Sequence, residues 1–293
     1  MPETALEMSP SDKMDVCVSP QKSSSVVQYD FDIFGAFEVT RVISNTQNGI
    51  IYESKRRTND SQLVIKQIAK KSVRNFYLIH GQPCPAEFVY HFTASAKEKA
   101  AKSIVRPHEW IEGTDSYIMV MERHRQMIDL FEASQKYQIF PEKFARVVTL
   151  QILAAARHCL KVGILHRDIK DENVLVDLKT GEALLIDFGC ACEVREEYNS
   201  FCGTAEYYPP EWYRHGRYAP GPLCVWQLGC LLYILLTGAI PFEKEDIREA
   251  KRATKYEKHL SYDALEAINA MLEPEESKRV TLENLDKLSF FKS

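Results

Sequence analysis

The string His166-Arg167-Asp168-Ile169-Lys170-Asp171-Glu172-Asn173 puts three carboxylates, a lysine and an amide into eight residues. Fourteen residues beyond Asn173 stands Asp187-Phe188-Gly189, entered through the apolar run Ala183 to Ile186. Upstream, Leu63-Val64-Ile65-Lys66 brings a lysine to the end of a β-prone run. Carboxylate and amide oxygens are hard donors suited to a divalent cation, a carboxylate accepts a proton, and lysines supply counter-charge. Taken singly, each has an ordinary reading: a lone Asp, Lys or Asn is usually a solvated surface residue, and Asp-Phe-Gly can be a turn. Their order and spacing together argue for more.

Such groups need elements to hold them. Alternation predicts strands over Phe34 to Val42, Ile50 to Lys55, Leu63 to Ile68 and Tyr117 to Met121, with Ser44 to Gly49 as polar punctuation. After the polar joint Glu122 to Gln126 the pattern becomes helical. Pro141 opens a stripe of Phe144, Val147, Val148, Gln151, Ile152 and Ala155 that stops at Gly163. Strands first and helices afterwards imply an α+β protein of two lobes, with residues 1–33 a flexible tail rich in Ser, Pro and charge.

Composition narrows the classes. At 293 residues, with 45% hydrophobic and 27% charged, the chain has the material for a substantial core and is not low-complexity. A net charge of −4 argues against nucleic acid as main partner. Eight scattered cysteines without a CxxC pair suit a reduced compartment, and a cytoplasmic location, with the nucleus as a second option, is expected. Glu3, Glu7, Asp12 and Asp15 argue against a secretory signal, and Pro2 against myristoylation. Leu223 to Phe242 carries no charge for twenty residues, enough to span a bilayer. Gln227 inside it, and Gly238 with Pro241 at its end, favour a buried core helix, so no membrane partner is expected.

The three strings resemble the signature set of the eukaryotic protein kinases, and the resemblance extends over about Phe37 to Phe291. The resemblance implies a bilobal fold: a mainly β lobe over 37–122, a hinge over 122–126 and a mainly α lobe over 127–291. It also implies ATP and Mg2+ as cofactors, protein substrates with Ser or Thr acceptors, and a monomer. Asp168 matches the catalytic carboxylate that orients the acceptor hydroxyl and takes its proton. Lys170 reaches the transferring phosphate, and a lysine here points to Ser/Thr acceptors. Asn173 and Asp187 match the metal ligands. Lys66 would hold the α- and β-phosphates, fixed by Glu87. Ile43, Gly49, Ile51, Val64, Glu122 and His124 map to the nucleotide pocket.

Arg157-His158-Cys159, Gly163-Ile164-Leu165, Tyr208-Pro209-Pro210-Glu211-Trp212, and Cys224-Val225-Trp226 without the usual Asp resemble the PIM kinases of the calcium/calmodulin-kinase-like group. Glu211 and Arg279 are expected to form a buried ion pair. Asp129, Glu132 and Glu172 stand where PIM-like enzymes meet basic side chains upstream of the acceptor, whereas Ile234 and Ala239 replace two further acids. Thr204 is expected to contact Asp168 and Lys170. Cys190, Cys192 and Cys202 read as small buried hydrophobes before zinc or redox groups.

The sequence also departs from the pattern. Ser44 to Ile51 keeps only Gly49 of the three loop glycines, at an expected cost of about tenfold to a hundredfold in nucleotide affinity or rate. His124 replaces a proline of the PIM hinge and restores a backbone N–H, expected to give adenine a second hydrogen bond. Retention of Lys66, Asp168, Asn173 and Asp187 favours an enzyme. The rival readings are a pseudokinase scaffold and a regulator that holds ATP without turnover.

Overall fold

A computed structural model describes residues 13–14, 35–46, 49–96, 102–242, 246–247 and 258–292. The chain divides into two compact units, one of residues 1–96 with 105–125, the other of 97–104 with 126–293. The break after residue 125 lies inside the expected hinge. Residues 102–104, within the span expected for the β lobe, group with the second unit, where Ile104 forms a parallel bridge to Leu185.

In the first unit, strand β1 (Lys13–Met14) precedes β2 (Phe37–Thr46), β3 (Gly49–Arg56), β4 (Gln62–Ala69), β5 (Phe76–Ile79) and β6 (Gln82–Pro85). Helix α1 (Ala86–Ala94) and strands β7 (Pro107–Glu112) and β8 (Ser116–Glu122) complete it. The main sheet runs β2-β3-β4-β8-β7, with antiparallel pairing throughout. Phe37, Tyr52, Leu63, Ile65, Ile118 and Val120 fill one face, each contributing about 1.5–3 kcal/mol by burial. Ser44 to Thr46, read as punctuation, continue β2: Ser44 pairs with Ile51, Asn45 with Ile50 and Thr46 with Gly49. Cross-strand pairing outweighs the weak strand preference of Ser and Asn. Of the region read as a tail, β1 is the described part, and it pairs with the edge strand β5; the rest lies outside the described residues.

The second unit is mainly helical: β9 (Ile128–Asp129), α2 (Leu130–Tyr137), α3 (Glu142–Lys161), β10 (Ile164–Leu165), β11 (Val174–Val176), β12 (Ala183–Leu185) and β13 (Cys192–Glu193). There follow α4 (Pro210–His215), α5 (Pro220–Thr237), α6 (Tyr262–Met271) and α7 (Ser289–Lys292). Every residue of α5 from Leu223 to Thr237 is buried, so the apolar run is a core helix, begun at Pro220 and closed by Gly238 in the left-handed region at φ 68°. The Glu211 carboxylate accepts two bonds of 2.8 Å from Arg279, whose guanidinium lies 4.9 Å from the Trp226 ring centre.

Candidate active site

In the first unit the period-two alternation of β4 decides which groups meet. Leu63 and Ile65 face the core, so Val64 and Lys66 share the opposite face. Register places Ile51 and Met119 beside Lys66, and Glu53 and Met121 beside Val64. Lys66, only 4% exposed, pairs with Glu87 in the first turn of α1. A buried ammonium needs such a partner.

Between the Val42–Tyr52 and Ser44–Ile51 pairs the register slips by one residue, and Ile43 occupies the bulge, largely exposed. Gly49, at φ 128°, packs so closely on β4 that a Cβ there would meet the Gln67 carbonyl oxygen at 2.5 Å. Strand packing by itself therefore requires this glycine. Gln47 and Asn48 of the loop lie outside the described residues.

At the chain's exit from β8, Glu122 accepts from the Arg106 amide at 3.0 Å and meets His124 Nε2 at 2.8 Å. Burial pushes the Glu122 carboxyl up, but His124 and the Arg106 amide outweigh it and hold its pKa below the ordinary value. The His124 carbonyl accepts from the Arg123 guanidinium at 2.8 Å.

The second unit assembles its groups around Asp168. Asn173 Nδ2 donates to the Asp168 carbonyl at 2.8 Å and to Oδ2 at 3.0 Å. Oδ1 accepts from the Thr204 amide at 2.9 Å, and Lys170 Nζ stands 3.6 Å from Oδ2. Lys170 also donates to Thr204 Oγ1 at 2.7 Å. Val174 pairs with Leu185, and the Ile186 amide donates to the Asn173 carbonyl at 2.9 Å. Asn173 and Asp187 therefore emerge at the same end of the β11–β12 ladder. His166 is buried and Phe188 packs edge-on to it at 4.9 Å; burial lowers its pKa, keeping the ring neutral.

One positioning residue was not assigned from the sequence. Gln227, fully buried in α5, donates to the Arg167 carbonyl at 2.7 Å and accepts from the Ile169 amide at 3.2 Å. It thus clamps the backbone on both sides of Asp168, where Arg167 takes a left-handed φ of 68°. The available signal was a lone polar residue in an apolar run.

The acids expected to face the substrate differ among themselves. Asp129 caps α2, accepting from the Glu132 amide at 2.7 Å. Glu132 is exposed, and the Glu172 side chain, 43% exposed, is partly withdrawn from water. This partial desolvation, then hydrogen bonding with Asp171, raises Glu172 to about 7. Arg167 donates to the Cys190 carbonyl at 2.5 Å and bonds Tyr218, while Glu197 pairs with Arg217 at 3.5 Å. Among the described residues no three His, Cys, Asp or Glu side chains form a cluster of the kind that could hold a metal ion.

Residues 37–291 match the family model described as protein kinase domain. The chain is 34% identical to serine/threonine-protein kinase pim-2 of Danio rerio, over 81% of its own length and 78% of the relative. It is 35% identical to serine/threonine-protein kinase prk-2 of Caenorhabditis elegans, over 67% of its own length and 44% of that protein. With serine/threonine-protein kinase AtPK2/AtPK19 of Arabidopsis thaliana it shares 30% identity, over 94% of the chain and 56% of the relative. The fold and these matches define the class as protein kinases. The chain belongs to the protein kinase family, among the serine/threonine kinases and with PIM-like similarity.

Proposed function

We propose that the chain transfers the γ-phosphoryl group of ATP to serine or threonine hydroxyls of proteins. The carrying observation is the environment of Asp168, whose carboxylate is held by Asn173 and Thr204 with Lys170 alongside. A carboxylate so held can orient an acceptor hydroxyl and take its proton while the hydroxyl oxygen attacks phosphorus and ADP departs. Lys170 balances charge on the phosphoryl oxygens, and Lys66, set by Glu87, takes those of the α- and β-phosphates. Val64 and Ile51, beside Lys66 on the non-core face, with Ile43, Gly49 and the backbone of Glu122 and His124, complete the nucleotide side.

The donor set fits a hard divalent cation. Asn173 uses its amide nitrogen on Asp168, which leaves its oxygen as the ligand atom, and Asp187 adds a carboxylate. Mg2+ suits these oxygens and, when bound, neutralises phosphate charge. Glu172 and Glu132 are the acids offered to a basic residue three before the acceptor, and the more distant preference is weakened by Ile234 and Ala239. A monomer in the cytoplasm, with the nucleus as a second option, belongs to the same reading.

Ser44 and Thr46, which stand at two of the three glycine positions of the loop pattern, favour a second reading in which ATP is held without turnover. Thermal unfolding with ATP, with and without Mg2+, tests the binding half on the chain and on Asp187→Ala. Stabilisation that needs the metal and is lost in the variant supports the proposal; a melting temperature indifferent to ATP and Mg2+ overturns it.

A further inference from the structure

The segment after Asp187-Phe188-Gly189 carries two thiols that the phosphotransfer reading does not use. Cys190 and Cys202, both half-buried, have sulfurs 2.9 Å apart across twelve residues of chain. Both are free thiols. A disulfide bond is about 2.05 Å long, so closure asks for a movement of under about 1 Å. We propose that Cys190 and Cys202 form an oxidation site at which a hydroperoxide produces a reversible disulfide, tying the Asp-Phe-Gly turn to the segment that carries Thr204.

The surroundings favour Cys202 as the first nucleophile. The Cys202 thiol, bonded to Cys190 and near the charge of Arg167, is drawn below its ordinary value despite burial. The Cys202 thiolate attacks the outer peroxide oxygen, the O–O bond breaks, and the alcohol or water leaves with a proton. The sulfenic acid so formed is attacked by the Cys190 sulfur. The S–S bond forms, the S–O bond breaks, and water departs with the Cys190 proton. In sum, two thiols and one hydroperoxide give a disulfide, an alcohol and water.

The consequence for transfer follows from what lies next to Cys202. Gly203 leaves no slack: at φ 135°, a Cβ there would stand 2.9 Å from the Arg167 carbonyl oxygen and 3.2 Å from Asp168 Oδ1. Thr204 follows, with its amide on Asp168 and its hydroxyl on Lys170. Pulling Cys202 toward Cys190 displaces this contact, and a misplacement of about 1 Å at a catalytic group costs on the order of a hundredfold in rate. This part rests on the proposed phosphotransfer, whereas the disulfide itself does not.

The test treats the full chain with hydrogen peroxide, then maps cross-linked peptides by mass spectrometry with and without dithiothreitol. A dithiothreitol-sensitive link between Cys190 and Cys202, absent in Cys190→Ser and in Cys202→Ser and kept in Cys192→Ser, is expected. Where peptide phosphorylation is measurable, it falls at least tenfold on oxidation and returns on reduction, while Cys190→Ser and Cys202→Ser lose this response. Sulfinic or sulfonic acid on either residue without the link, or a link made through Cys192, overturns the site. A mapped disulfide with unchanged phosphorylation overturns its control of transfer. If the untreated chain transfers no phosphate, the cross-link map still decides the site, and the failure belongs to the phosphotransfer reading.

Discussion

The Thr204 amide donates to Asp168 Oδ1 at 2.9 Å across thirty-six residues of chain. The Thr204 hydroxyl accepts from Lys170 at 2.7 Å, so one residue positions both charged groups of the string Asp168-Ile169-Lys170. Thr204→Val keeps the amide and removes the hydroxyl. The loss of a hydrogen bond to a charged group predicts a kcat about tenfold to a hundredfold lower. The KM for ATP stays unchanged, and Thr204→Ser restores the rate. Steady-state kinetics of the three proteins check this; a changed KM with an intact kcat contradicts it.

Gln227→Leu strands the Arg167 carbonyl and the Ile169 amide, each a buried group whose lost partner costs about 1–3 kcal/mol. The loss falls on the backbone flanking Asp168. The expected outcome is a lower melting temperature together with a reduced kcat. Gln227→Glu, which keeps the acceptor for Ile169, retains more of the rate. Equal kcat in wild type and Gln227→Leu would show that the clamp has no bearing on transfer.

Glu172 sets a pH dependence. Its pKa is raised from 4.5 to about 7, so the folded state favours the protonated form. That contribution to stability is complete below about pH 4.5 and is lost as pH rises through about 7. Function runs the other way, because the anion that attracts a basic side chain forms only as pH rises through the same range. Discrimination between peptides with Arg and with Ala three before the acceptor therefore grows between pH 6 and 8, as roughly one unit either side of this pKa brackets the titration. In Glu172→Gln the ratio is low and flat; a ratio independent of pH in wild type contradicts the assignment.

Arg279 and Glu211 are 1% and 4% exposed, and breaking such a pair from one side leaves an uncompensated buried charge. Arg279→Met is predicted to cost about 3–5 kcal/mol, a drop in melting temperature on the order of 10 °C for a domain of this size. Replacing both partners, as in Arg279→Met with Glu211→Leu, recovers part of that loss. Calorimetry distinguishes the cases.

The candidate groups were legible because they sit in short local strings. Lys66 and Glu87 were assignable as a pair since each occupies a recognisable position on a strand or at a helix start, and the structure joins them. Other features depended on partners distant in the chain. Ser44 to Thr46 are weak strand formers drawn into β2 by pairing with β3. The cap that ties Asp129 to α2 follows from where the helix begins, and it engages one oxygen of a carboxylate that the resemblance to PIM kinases had put toward the substrate. Gln227 lies 58 residues from the amide it holds, and nothing in its neighbours shows that reach. The approach of Cys190 and Cys202 comes from the path of the loop between them, which spacing does not specify.

The most direct measurement is the initial rate of labelled phosphate transfer from ATP with Mg2+ to an Arg-containing serine peptide, beside a tyrosine peptide and an Asp168→Asn control. The account predicts transfer to serine, little to tyrosine, and a rate in the control lower by about 10²–10⁴. It also predicts a high KM for ATP from the missing glycines. Silence toward every peptide while ATP and Mg2+ still raise the melting temperature, or a rate indifferent to Asp168→Asn, would contradict it.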